Sequence, residues 1–158
     1  MHNHAPENYN CPICLAVKGV ENNEGVWIKQ DDIFYRDDLV MGFISSKAIK
    51  GNNAHPLVVP LEHFENIYEL PDGLGARIFE IAKKTAIALK EIRECDGVTI
   101  MQNNEPASRQ HAFHYHMHVI PRFNDDHFYE ELLKSEKSDP STRVKPAADL
   151  REYFKKNV

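Results

Sequence analysis

Several features are scarce in this 158-residue chain, and each scarcity narrows what it does. No apolar run approaches the roughly 18 residues that a membrane-spanning helix requires, so no spanning helix is expected. The opening residues, MHNHAPENYN, hold neither a basic stretch nor an apolar core, so a secretory leader is not expected either. Positive charge is not in excess. Nineteen Lys and Arg stand against 24 Asp and Glu, a formal net charge of -5, which argues against a general nucleic-acid binder built on a wide basic surface. A small phosphorylated ligand needs only a few donors in one pocket and stays compatible. Cysteine is sparse and odd in number, at three, with two of them in one short motif. That usage fits metal binding better than disulfides and places the protein in the cytoplasm.

What is present is a single globular domain's worth of chain, 42% hydrophobic. Val26-Trp27-Ile28, Ile33-Phe34-Tyr35 and Leu39 to Ile44 read as short strands of a meander ended by Lys50-Gly51-Asn52-Asn53. Pro56 to Pro60 reads as another strand, with its prolines at the ends where no ladder donor is lost. Asp72 is placed to cap a helix running to about Glu94. Leu74, Ile78, Ile81, Ala82, Thr85, Leu89 and Ile92 give that helix its apolar stripe. Asp96-Gly97 turns into a strand over Val98 to Gln102, and Asn103 to His111 forms a polar loop. The expected class is α+β: an antiparallel sheet with helices on one side. Beyond Phe123 the chain becomes charged and helical, with a break near Asp139 to Thr142 and an amphipathic piece from about Ala147 to Lys156.

The densest chemistry lies in His114-Tyr115-His116-Met117-His118-Val119-Ile120-Pro121-Arg122. In an extended strand alternate side chains share a face, so His114, His116 and His118 point one way with Ala112 and Ile120. Phe113, Tyr115, Met117 and Val119 face the other way, towards a helix layer. Three imidazoles on one face make either an active-site strand or a metal strand. Cys11-Pro12-Ile13-Cys14 brings two thiolates to one ion and leaves two places in a tetrahedral shell. His55, His63, His111, His114, His116, His118 and His127 are all candidates for those places, and spacing does not choose among them.

The combination Ala54-His55-Pro56-Leu57-Val58-Val59-Pro60, His63, Gln102-Asn103-Asn104 and His114 to Arg122 closely resembles the histidine triad (HIT) family over roughly residues 11–122. The resemblance implies a HIT-like fold, a five-stranded antiparallel sheet with a long helix on one face. It implies a HIT domain over residues 1–123 with a zinc-bound N-terminal segment, and a mainly helical extension over 124–158 packed on the same domain. Zinc-containing relatives hold the metal on residues matching Cys11, Cys14, His63 and His114, which here implies one structural zinc per chain. The middle histidine, His116, matches the family's nucleophile, which forms a nucleotidyl-histidine intermediate. His118 and His55 match its catalytic partners. The uridylyltransferase branch carries Gln at the third histidine, so His118 points to a hydrolase-type member.

Asn103 and Gln110 match positions near the phosphate or the leaving group, and Ile33 and Phe43 are the nearest equivalents of the base sandwich. Three departures bear on substrate. Ser45 stands where many members hold the ribose with Asp, Glu105 and Arg109 stand where Gly is common, and His111 replaces Ser or Thr. Arg109 is read as a grip on a longer polyphosphate or a side chain pointing into solvent, and His111 as a proton donor or an outward loop residue. Cys95 reads as a buried small apolar residue. The implied activity is hydrolysis or nucleotidyl transfer on a purine nucleoside phosphoramidate or dinucleoside polyphosphate. The alternative is a nucleotide-binding regulatory or scaffold protein with little turnover. The implied partners are a small nucleotide and a second copy, paired through helix 72–94 and strand 98–102, with neither nucleic acid nor membrane.

Overall fold

A computed structural model describes residues 2–158. In chain order the elements are helix α1 (Pro12–Val17), strands β1 (Ile33–Arg36), β2 (Val40–Ile44), β3 (Lys47–Ala48) and β4 (Pro56–Pro60), helix α2 (Asp72–Arg93), strands β5 (Gly97–Gln102) and β6 (Met117–Arg122), helix α3 (Phe128–Leu132), strand β7 (Glu136–Lys137) and helix α4 (Ser141–Asn157). Five strands form one antiparallel sheet in the order β1-β2-β4-β6-β5, and β3 pairs with β7 in a separate two-stranded ribbon. The expected α+β class and five-stranded sheet with a long helix are what the chain adopts.

The periodicity of α2 determines how the sheet is covered. Ile78, Ile81, Ala82, Thr85, Ala88 and Leu89 are buried along one stripe. They meet Val58, Tyr115 and Val119 from the sheet side, and α4 adds Ala147, Leu150 and Phe154 to the same core. The opposite sheet face carries Met41, Phe43, Leu57 and Val59 and is covered by the N-terminal segment through Cys11, Ile13 and Ile28. Each sheet face therefore has a different roof. Two helices seal one, and a short segment closes the other, where the chemistry lies.

Some expectations are corrected. Val26 to Ile28 is not a strand; Val26 and Ile28 are buried, but the backbone joins no ladder, and the Trp27 carbonyl instead accepts from Arg143 Nη2 at 2.8 Å. Asp72 does not cap α2. Pro71 holds the cap position and Asp72 is the first helical residue, its carboxylate beside the positive end of the helix dipole. The histidine segment joins the ladder only from Met117, since β4 pairs with β6 through Leu57–His118 and Val58–Met117 alone. Upstream, the Tyr115 N–H donates to Phe64 O at 2.6 Å. The alternation persists without the ladder: Tyr115, Met117 and Val119 face the helices. Phe113 does not join them and packs edge-on against Tyr9, with ring centroids 5.5 Å apart. Helix α4 starts at Ser141 rather than near Ala147, because Asp139 Oδ1 accepts both the Ser141 N–H and its hydroxyl at 2.8 Å.

Candidate active site and metal centre

Cys11 and Cys14 lie at the start of α1, where the Cys14 N–H donates to Cys11 Sγ at 3.4 Å and tightens the turn. His63 follows the end of β4, and His114 lies ahead of β6. Ligand atoms of these four residues fall within 4.8 Å of one another. Cys11 Sγ and Cys14 Sγ lie 3.4 and 3.5 Å from His114 Nδ1, and Cys14 Sγ lies 3.3 Å from His63 Nδ1. His114 is fully buried, and its Nε2 lies 3.0 Å from the Pro60 carbonyl. A carbonyl only accepts, so Nε2 carries the proton and Nδ1 turns its lone pair into the cluster, the second contact by which metal-binding histidines are oriented. Burial pushes the Cys11 thiol up to about 12, so a thiolate there needs a cation beside it. Two sulfurs and two imidazole nitrogens converging in this way suit a tetrahedral metal ion with no open position.

His55, His111, His116 and His118 face a cavity of about 420 Å³, and His127 lies outside it. His55, at the start of β4, lies 2% exposed with its Nε2 3.1 Å from His118 Nδ1. Among the described residues His55 Nδ1 has no partner. A buried bare acceptor is tolerated better than a buried bare donor, so the proton sits on His55 Nε2 and is donated to His118 Nδ1. That leaves His118 Nε2–H as a free donor. His116 Nδ1 lies 2.7 Å from the His114 carbonyl and must donate to it, which leaves Nε2 as the free lone pair of a ring on the cavity wall. Burial lowers all three pKa values. His55 falls to about 4 with help from the charges of Arg93 and His116, and His118 falls well below its ordinary value. For His116, burial outweighs the opposing bond to the His114 carbonyl. At neutral pH the site holds neutral rings in fixed tautomers: one offers a lone pair, another an N–H.

The wall also carries Phe43, Ser45, Asn103, Arg109 and His111, all expected near a substrate. Burial lowers the His111 pKa, and the charges of Lys47 and Arg109 add to it. Ile33 and Gln110 are not on the wall. Ile33 packs into the cluster beneath the N-terminal segment, and its place near the cavity is taken by Ile13, Trp27 and Ile28. Gln110 is buried and committed to the loop: its Oε1 accepts from the Glu105 N–H at 2.7 Å, and its amide donates to Glu65 O at 2.5 Å and Ala112 O at 3.2 Å. Ser45 Oγ accepts from the Lys47 N–H at 3.1 Å. Lys47 and Ile13 are wall residues that sequence reasoning missed. Ile13 could have been found, because a residue between two ligands to one ion has a fixed direction. Lys47 lies on a two-residue strand too short to show any pattern.

An antiparallel sheet that sets three neutral imidazoles on a cavity beside a separate thiolate–imidazole cluster defines a histidine-based α+β domain. The family model "HIT domain" matches residues 28–125, and the chain belongs to the histidine triad family. It is 33% identical over 131 residues to "Protein hit" of Bacillus subtilis, covering 82% of this chain and 83% of that one. A zinc-bound histidine triad family protein from Mycobacterium smegmatis superposes with a TM-score of 0.72 at 26% identity, over 93% of this chain and 94% of that one. "Adenylylsulfatase HINT3" of Arabidopsis thaliana is 25% identical over 117 residues, 74% of this chain and 54% of that protein. Among the described residues no helix is long and apolar enough to cross a membrane.

Proposed function

We propose that the protein is a hydrolase or nucleotidyl transferase that cleaves a purine nucleoside phosphoramidate or a dinucleoside polyphosphate through a nucleotidyl-His116 intermediate. The observation that carries this reading is the 2.7 Å bond from His116 Nδ1 to the His114 carbonyl, which holds the Nε2 lone pair ready for attack. In the first step Nε2 bonds to the α-phosphorus as the bond to the leaving group breaks. The leaving group departs with the electron pair and takes a proton, for which we assign the protonated form of His111 as the source. Water then attacks the same phosphorus and gives its proton to the now neutral His111, the P–Nε2 bond breaks, and the nucleoside monophosphate leaves. His118 Nε2–H and the Asn103 amide supply hydrogen bonds to the charge that builds on the non-bridging oxygens. The apolar end of the cavity, with Ile13, Trp27, Ile28 and Phe43, suits a flat base.

Zinc is our assignment for the ion held by Cys11, Cys14, His63 and His114, and its part is to anchor the N-terminal segment. The reading extends to a homodimer. Helix α2 leaves Phe79 and Ile87 exposed, and the edge strand β5 leaves Ile100 exposed, a surface that a second copy would cover. It also extends to a cytoplasmic protein, supported by three unpaired cysteines of which two serve the metal cluster. The test is His116→Ala with an adenosine phosphoramidate. Turnover is expected to fall by roughly 10³-fold or more, and mass spectrometry of quenched wild type is expected to locate an adenylyl group on His116. Retained turnover in the variant, or an adduct on another side chain, removes the nucleophile assignment.

A further inference from the structure

Although the chain carries a net charge of -5, among the described residues no carboxylate lines the 420 Å³ cavity. Two full cations do, Lys47 and Arg109, and they arrive from different elements. Lys47 lies on the β3–β7 ribbon opposite Lys137, with its N–H held by Ser45 Oγ at 3.1 Å, so its root is fixed. Arg109 comes from the loop between β5 and β6. Among the described residues neither side chain makes an ion pair or a hydrogen bond, whereas the neighbouring Lys137 places its ammonium 4.9 Å from the centre of the Trp27 ring. The Lys47 charge reaches His111, His116 and His118, helping to hold each ring neutral. An ammonium so placed, half-buried and without a counter-charge, has unmet attraction for an anion beyond the phosphate at His116.

We infer that Lys47 determines specificity for the leaving group, holding a tetrahedral oxyanion, phosphate or sulfate, attached to the α-phosphorus. The inference rests on the nucleotidyl-transfer reading above and selects among its substrates. Anionic leaving groups are favoured over an uncharged amine. Lys47 binds the departing group and takes no part in forming or breaking the bond to His116.

The test compares wild type, Lys47→Met and Lys47→Arg on adenosine 5′-phosphosulfate, diadenosine triphosphate and adenosine 5′-phosphoramidate. Binding of ADP and AMP is measured alongside by calorimetry. Lys47→Met is expected to lower kcat/KM on the two charged substrates by roughly tenfold or more and to leave the phosphoramidate within about threefold. Lys47→Arg is expected to recover most of the loss. Whichever charged substrate suffers more identifies sulfate or phosphate as the natural oxyanion. Wild type is expected to bind ADP more tightly than AMP, and that preference is expected to vanish in Lys47→Met. Equal losses on all three substrates, or an ADP preference that survives the substitution, overturns the assignment. If wild type turns over none of the three while the ADP preference still depends on Lys47, the hydrolase reading fails and the oxyanion site stands.

Discussion

Glu105 and Arg109 stand at positive φ, 66° and 69°, although neither is glycine, and Arg109 is in the left-handed helical conformation. For an ordinary L-residue this conformation costs roughly 1–2 kcal/mol. The Glu105 carboxylate offsets it by accepting from Tyr68 Oη at 2.9 Å and pairing with His4 Nε2 at 2.8 Å. Among the described residues the Arg109 side chain makes no such contact, and only its N–H is held, donating to the Pro106 carbonyl at 2.9 Å. Arg109→Gly is therefore expected to raise stability by about 0.5–1 kcal/mol, the relieved strain less the entropy that glycine adds to the unfolded chain. The same change is expected to weaken ADP binding. Urea denaturation and calorimetry check the pair of effects, and a loss of stability would show that Arg109 has a partner in solution.

At the scale of elements, α1 joins two sites. Cys11 and Cys14 belong to the cluster that could hold a metal ion, while Pro12 and Ile13 between them form part of the cavity wall. Removing the ion with a chelator is expected to release one metal per chain and to abolish hydrogen-exchange protection over residues 12–17, with α2 and β6 still protected. AMP affinity is expected to fall by roughly tenfold as the apolar wall loosens. Unchanged affinity after complete metal loss would uncouple the two sites. The elements themselves were legible where burial follows a period: α2 from its stripe, β4 from its bounding prolines, and the helix-facing alternation of Tyr115, Met117 and Val119. The metal cluster was legible through the family resemblance, since spacing left seven histidines open. What was not legible depends on partners distant in sequence. Val26 to Ile28 has strand composition but no strand beside it, and Ile33 and Ile13 exchange roles because only the packed segment shows which one reaches the cavity. The β3–β7 ribbon joins residues about ninety positions apart, a pairing that local pattern does not encode.

For the whole molecule, one buried ion pair ties the ends together. Arg143 of α4 and Asp32 ahead of β1 are each 1% exposed at the side chain and meet at 2.9 Å. The same guanidinium donates to the carbonyls of Trp27 and Ser138 and to the Ser138 hydroxyl. Arg143→Ala strands a buried carboxylate and is expected to cost about 3–5 kcal/mol, read as a lower urea midpoint. Asp32→Asn in that background is expected to restore part of the loss, which separates the stranded charge from simple loss of packing. The chamber around His116 takes Leu132 and Ser135 from the later part of the chain and has Trp27 positioned by Arg143. A ribosome making this protein therefore delivers the reactive histidines before the last two residues of their wall and before the arginine that positions Trp27, and a nascent chain halted before residue 128 carries the chemistry in an unfinished enclosure.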